Sequence, residues 1–284
     1  MSILVTGATG TVGAAVAEFL LDRGASVVGA VRNDADALRL QAGVEPRRFD
    51  YSMSPTELDQ ALDGCDRLFL MRPPAIADVH TYLFPTIDAA VRRDIRQIVF
   101  LSLQGVQYNR TTPHFAVEEY LKSSRVPFTS LRPNFFMQNL STTHAGEIRE
   151  MDEVFVPAGR SFTAFIDARD IGRVAAAVLT EPRHIGKAYT LSGEHSLSYR
   201  KVADILSDVL GRRIHYRRPS EKDYLTHLRE QGQPEDYIAV QRMIYRLVRF
   251  NVSAFPNTSV RRLTGHPATT FAEFARRERA AWES

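Results

Sequence analysis

Three glycines at three-residue spacing, Gly7, Gly10 and Gly13, follow the apolar run Ile3-Leu4-Val5. After them comes an amphipathic stretch with Val12, Val16, Phe19 and Leu20 on one face. The order reads as strand, tight turn and helix. That arrangement presents the free N–H groups of a helix's first turn, and the positive end of its dipole, to whatever binds there, which favours an anion. Gly7 lets the chain turn sharply, Gly10 allows a pyrophosphate to approach the backbone, and Gly13 lets helix and strand pack closely. Thr9, Thr11 and Val12 belong to the same candidate set. A dinucleotide is the ligand that suits this loop; a glycine-rich turn in an ordinary α/β protein is the competing reading.

Other groups able to do chemistry stand where strands end. The second strand runs into Arg32-Asn33-Asp34, at the place where an NAD site puts an acid on the ribose 2′-hydroxyl. A guanidinium there suits the 2′-phosphate of NADP(H), which makes NADP(H) the preferred cofactor and NAD(H) the alternative. In that alternative Arg32 is a surface charge and Asp34 turns in to hold the ribose. After the third strand, Asp50 offers an acceptor for an adenine amino group and Tyr51 a flanking ring, while a plain turn role for Asp50 competes evenly. Met71 closes the fourth strand on the same side. Further on, His114 and Glu118 lie four residues apart, so on a helix they share a face and can meet. His114 is then a weak acid or a shaper of the pocket with Glu118 orienting it; the competing reading, which carries more weight, has His114 capping the helix and Glu118 as a surface or packing charge.

The elements that position these groups alternate. Strand patterns cover Ile3–Val5, Ser26–Val31, 43–49, 66–71, 97–102 and 127–131, with helical patterns between them, including a Ser54-Pro55-Thr56-Glu57 capping box. Such alternation predicts a parallel sheet covered on both faces. After about Asn139 the pattern loosens. Residues 162–166 read as strand-like, 168–179 as a good helix, and 188–192 as a last strand returning to the sheet. Helices follow over 198–211, 220–232, 234–250 and 271–282. The expectation is an α/β Rossmann-like doubly wound parallel sheet over 1–138, and a smaller, mainly helical substrate-side lobe over 139–284. Tyr224, Tyr237, Met243, Tyr245 and Phe250 would supply an apolar lid, most of them being core.

Composition narrows the classes. With 284 residues, 44% hydrophobic and 24% charged, the chain has the balance of a globular enzyme, and a net charge of +3 is too small to argue for nucleic acid. No apolar run approaches the roughly 18 residues of a membrane span. The lone Cys65 cannot form an internal disulfide and stands beside a strand, where a buried, inert thiol is expected. These features predict a cytoplasmic protein, monomer or homodimer, whose partner is a small-molecule substrate and neither nucleic acid nor membrane. The eight histidines show no zinc-type spacing, no Gly-x-Ser-x-Gly elbow is present, and the glycine loop lacks the Lys-Ser/Thr of a P-loop.

The glycine motif with Arg32 resembles the NmrA-like branch of the atypical short-chain dehydrogenase/reductases. Leu101-Ser102, His114-Phe-Ala-Val-Glu118, Leu131-Arg132-Pro133-Asn-Phe-Phe136-Met-Gln-Asn139, Ile166-Asp167-Ala-Arg-Asp170-Ile-Gly172 and Tyr189-Thr-Leu-Ser-Gly193 extend the resemblance over nearly the whole chain. It implies NADP(H) or NAD(H) binding and, among family activities, reduction of quinones, azo dyes or triphenylmethane dyes. Some relatives are nucleotide-sensing regulators, so a non-catalytic redox sensor is the alternative function. A sugar-nucleotide epimerase is disfavoured because the superfamily's Tyr-x-x-x-Lys pair is missing: Thr112 stands four residues after Tyr108, and Ser124 four after Tyr120. Ser102 falls near the superfamily's hydrogen-bonding serine, although an offset of one would put Leu103 there. Pro133 would form a rigid edge beside the nicotinamide and Phe136 a wall, with a core role for Phe136 competing. Conjugated acceptors take hydride readily, so proximity and orientation suffice without a dedicated proton relay.

Overall fold

Strands that are apolar on both faces have to be covered on both faces, and the fold follows from that requirement. The computed structural model describes residues 1–283. Seven strands, β1 (Ser2–Val5), β2 (Ser26–Val31), β3 (Val44–Arg48), β4 (Arg67–Met71), β5 (Gln97–Leu101), β6 (Phe128–Pro133) and β7 (Ala188–Leu191), form one sheet in the order β3-β2-β1-β4-β5-β6-β7. Every pairing is parallel. All five residues of β5 are buried, as a central strand demands. The strand order reverses between β1 and β4, the place at which open parallel sheets bind ligands outside the carboxyl ends of their strands.

The chain forms two units: Met1–Pro133, Ala168–Leu191 and Ser259–His266 make the first, and Asn134–Asp167, Ser192–Thr258 and the stretch from Pro267 onward the second. The returning strand over 188–191 lies in the first unit, as does the rest of Ala168–Leu191 together with Ser259–His266. In the first unit the helices include α1 (Thr11–Asp22), α2 (Pro55–Ala61), α3 (Phe84–Arg92), α4 (Pro113–Ser124) and α5 (Ala168–Thr180). Ser54 and Glu57 close the expected capping box on α2. Expected among the lobe helices, α5 belongs instead with the sheet. It buries ten of its thirteen residues and crosses α1 so closely that a Cβ on Gly172 would lie 2.6 Å from the Ala15 Cβ. Arg169 anchors the crossing through Glu18 at 2.8 Å, and the Arg173 guanidinium sits 4.8 Å from the Phe19 ring centroid. Cys65 is only half-buried, beside Arg47, and burial raises its thiol pKa.

The second unit packs α6 (Tyr199–Leu210), α7 (Glu221–Glu230), α8 (Glu235–Arg249) and α9 (Phe271–Arg277) around Tyr199, Leu206, Tyr224, Tyr245, Phe274 and Trp282. Ser198 and Ser220 cap α6 and α7 as their positions predict. It is not purely helical. Phe162–Thr163 pairs antiparallel with Leu197–Ser198, and Glu153–Val154 pairs parallel with His215–Tyr216. The strand-like 162–166 segment shrinks to its first two residues, while Ile166 bridges Phe136. The helix read over 271–282 stops at Arg277 and gives way to a tighter turn over Arg279–Trp282. There the buried Trp282 indole N–H donates to the Leu140 carbonyl at 2.7 Å, a partner that a buried indole requires.

Candidate functional site

The loop from β1 to α1 builds the cradle. Gly7 has φ +65°, a left-handed turn that favours glycine. Gly10 N–H donates to the Gly7 carbonyl at 2.9 Å, and the Gly13 Cα lies so near that carbonyl that a Cβ there would collide with it and stand 2.9 Å from Ala8 N. Gly10 occupies the N-cap of α1 in an extended conformation, with no side chain to cap the first turn and no acid within that turn. Other helices of this chain meet that need with a hydroxyl, as Ser54, Thr112 and Ser198 do. The first-turn N–H groups of α1 thus keep their capacity for an external anion. Thr11 is exposed and Thr9 half-buried, whereas the Val12 side chain is buried, leaving its N–H as what it can offer.

Around this cradle the strand ends supply the rest. Arg32 follows β2 with its side chain 71% exposed, and its Nε donates to Asp36 at 3.1 Å. Asp36, itself largely buried, also pairs with Arg39 at 3.5 Å, and the Arg39 guanidinium reaches the Thr9 carbonyl at 3.3 Å. The register Val31↔Arg48 brings Arg48 into the same open cleft as Arg32, Asn33 and Asp34. Asp50 accepts from the Ser52 N–H at 2.8 Å and from its hydroxyl at 2.6 Å, the turn role foreseen as an alternative. The Ser52 hydroxyl chiefly, then the Ser52 N–H and the Arg32 charge, hold its carboxyl below the usual range against the opposing effect of burial. Tyr51 does not present a free ring. It is buried against Phe49, with ring centroids 5.0 Å apart, and its hydroxyl donates to the Met71 carbonyl. Burial pushes that phenol's pKa far above its ordinary value.

Thr6 escaped the sequence reading. Its fully buried hydroxyl donates to the Phe69 carbonyl at 2.9 Å and accepts from Met71 N–H at 2.9 Å, fixing the ends of β1 and β4. Met71 in turn packs on Gly7 closely enough that any side chain at Gly7 would meet its sulfur. A lone threonine closing an apolar run was the available signal.

At the ends of β5 and β6 the expected acid–base pair separates. Thr112 caps α4 and Pro113 takes its first turn, so His114 is not the cap. Glu118 is buried and bound in a fork to Arg132, 3.0 Å from Nε and 2.5 Å from Nη2. The glutamate is therefore committed to β6 and does not orient His114. Burial raises the Glu118 carboxyl pKa, but the forked hydrogen bonds from Arg132 and its charge help to outweigh it and hold the carboxyl low. Ser102 is buried, its N–H on the Leu131 carbonyl at 2.8 Å. The half-buried His114 imidazole is pushed down to about 4, first by burial and then by Arg72, with Glu118 opposing. Its ring faces Phe100 at 6.1 Å. Pro133 is buried, and its carbonyl accepts from Gln104 N–H at 2.9 Å. In the second unit, Phe136 is half-buried and Met137 N–H donates to the Ile166 carbonyl at 2.9 Å. Among the described residues no group of His, Cys, Asp and Glu is arranged to hold a metal ion, and no helix is long and apolar enough to cross a membrane.

A family model described as the NmrA-like family matches residues 1–274. The chain belongs to the NmrA-like family. The NAD(P)H azoreductase of Xenophilus azovorans is 33% identical to it over 99% of both chains. The NADPH-dependent quinone oxidoreductase of Escherichia coli, solved in complex with NADPH, superposes with a TM-score of 0.84 at 28% identity over 96% of this NmrA-like chain and 98% of that one. The triphenylmethane reductase of Citrobacter sp., solved with NADP(H), has the same fold, with a TM-score of 0.86 at 24% identity over 97% and 99% of the two chains.

Proposed function

We propose that this NmrA-like chain is an NAD(P)H-dependent oxidoreductase that transfers hydride to a small conjugated acceptor such as a quinone or an azo compound, with NADP(H) preferred. The observation that carries this reading is the uncapped start of α1 at Gly10 beside a cleft that Arg32 and Arg48 make basic. The relatives named for azo and quinone reduction support the acceptor class. Gly7 to Gly13 hold the pyrophosphate, Arg32 the 2′-phosphate, and Met71 and Pro133 border the cofactor. Asp50 shapes the adenosine end through its turn, and Tyr51 supports it indirectly by holding the Met71 carbonyl.

Bound NADPH supplies the hydride, and the chain's own task is proximity and orientation. The test is NADPH oxidation against a panel of quinones, azo dyes and enals. Turnover with at least one class is expected. Tight NADPH binding with no turnover across the panel would instead favour a redox sensor.

Cofactor choice follows from Arg32. Arg32→Ala is expected to weaken NADPH binding by about 1.5–3 kcal/mol, the scale of a charged hydrogen bond, and to leave NADH unchanged. Titration calorimetry with both cofactors measures it; equal losses would remove Arg32 from the 2′-phosphate.

His114 has a secondary part. An imidazole held near 4 is neutral throughout the physiological range and has no proton to hand over as an imidazolium. His114→Ala is therefore expected to slow the reaction by about 3–30-fold, short of the 10²–10⁴-fold of a general acid. The wild-type rate with a quinone should stay nearly flat between about pH 6 and 8. Steady-state kinetics across that range decide the matter. A thousandfold loss together with the disappearance of a limb near pH 6.5 would make His114 the proton donor.

A further inference from the structure

We propose, against the expectation that no membrane is a partner, that the second unit carries a docking surface for an anionic lipid bilayer, with headgroup phosphates received by arginines around Tyr216 and neighbouring phenylalanines entering the lipid boundary. Arg160, Arg200 and Arg218 line one cleft of about 380 Å³ together with Tyr199 and Tyr216. The Tyr216 hydroxyl donates to the Val156 carbonyl at 3.2 Å, which fixes the ring in the wall of that cleft. Arg249 adds a fourth guanidinium: a Cβ on Gly159 would touch its Nε at 3.8 Å. Among the described residues Arg160, Arg200 and Arg218 have no ion-pair partner. The nearby acids are engaged elsewhere, Asp204 with Arg213 at 3.8 Å, Glu153 with Arg217 at 3.6 Å and Glu221 with Arg246 at 2.7 Å.

Large apolar side chains stand beside these charges. Phe250 is 80% exposed, Phe255 71% and Phe162 48%. The backbone ties the Phe162 and Phe250 segments together, since Phe162 N–H donates to the Asn251 side-chain oxygen at 2.8 Å and Ala164 N–H to the Ser253 carbonyl at 2.8 Å. The segment carrying Arg160 and the segment carrying Arg249 and Phe250 thus run side by side.

Charge complementarity selects the occupant. Guanidinium forks match phosphate oxygens, and an anionic leaflet attracts a cluster of them within a Debye length. Exposed phenylalanines on segments next to the arginines suit the headgroup–acyl boundary, as on proteins that lie on membranes without spanning them. A soluble phosphate would use the arginines and leave Phe250 and Phe255 in water. A second copy of this chain, meeting through a twofold axis, would set arginine cluster against arginine cluster.

The test is co-sedimentation of the full chain, loaded with NADPH, with vesicles of phosphatidylcholine alone and of phosphatidylcholine mixed with phosphatidylglycerol. Pelleting is expected with the mixed vesicles only, falling at least about tenfold as salt rises from roughly 0.05 to 0.5 M. The pair Arg160→Glu and Arg200→Glu, and separately the pair Phe250→Ser and Phe255→Ser, should each abolish pelleting while keeping wild-type NADPH binding and melting temperature. The pairs alter different side chains, so a folding failure in one leaves the other as the test. Absence of pelleting, or pelleting that survives both pairs, overturns the proposal. Binding of inorganic phosphate to the cleft without pelleting by the mixed vesicles would assign the cleft to a soluble phosphate. A dimer that the phenylalanine pair dissolves, and that vesicles do not compete with, would assign the face to self-association.

Discussion

Gly10→Val is expected to abolish NADPH binding and leave the fold intact. Gly10 has φ −96° and ψ 170°, a conformation that any residue adopts, so valine brings no backbone strain. A Cβ there meets only the Gly7 carbonyl, at 3.3 Å, a contact that a few tenths of an ångström relieve. The branched methyls would nevertheless stand over the first-turn N–H groups, at the surface a pyrophosphate must approach. In thermal unfolding at about a hundred times the dissociation constant, NADPH should stabilise the wild type by about 2.7 kcal/mol and the variant not at all. A variant with a normal melting temperature that NADPH still stabilises would put the dinucleotide elsewhere. Gly13→Val provides the contrast, because its Cβ collides with the Gly7 carbonyl and the loss should fall on the fold itself.

Breaking the Glu118–Arg132 fork is expected to cost about 3 kcal/mol of stability, because the surviving guanidinium stays mostly buried, its side chain 17% exposed, with no counter-charge. Urea unfolding of Glu118→Gln at neutral pH measures this, and adding Arg132→Met should recover most of it, since an apolar pair replaces an ion pair at little cost. The pH dependence has a definite sign. The Glu118 carboxyl is held below the ordinary glutamate value of 4.5, so its contribution is fully present above that value and is lost as pH falls through the lower folded value. The stability gap between wild type and Glu118→Gln should therefore close on acidification below about pH 4. A gap that persists there would mean that shape, and not charge, is what the pair supplies.

Much of the local structure was legible because its causes are local. The glycine spacing, the hydroxyl caps at Ser54, Ser198 and Ser220, and Arg32 in place of an acid each act within a few residues of themselves. The alternation of apolar runs likewise decided the parallel sheet, since a strand buried on both faces can be read without knowing its neighbours.

What the sequence by itself determined was thus the class of fold, the glycine turn ahead of α1 and the leaning toward NADP(H). The tertiary structure alone decided the partners. Glu118 and His114 share a helix and invited pairing, yet Arg132 reaches Glu118 from a strand with two forked hydrogen bonds and takes the carboxylate away. Arg48 joins Arg32 only through the register of β2 and β3. Tyr51 turns inward because the Met71 carbonyl offers its hydroxyl a partner inside the core, and α5 joins the sheet because Gly172 admits Ala15. Each depends on contacts between segments distant along the chain, whose energies are set by distance and burial in space, and periodicity along a sequence carries no trace of them.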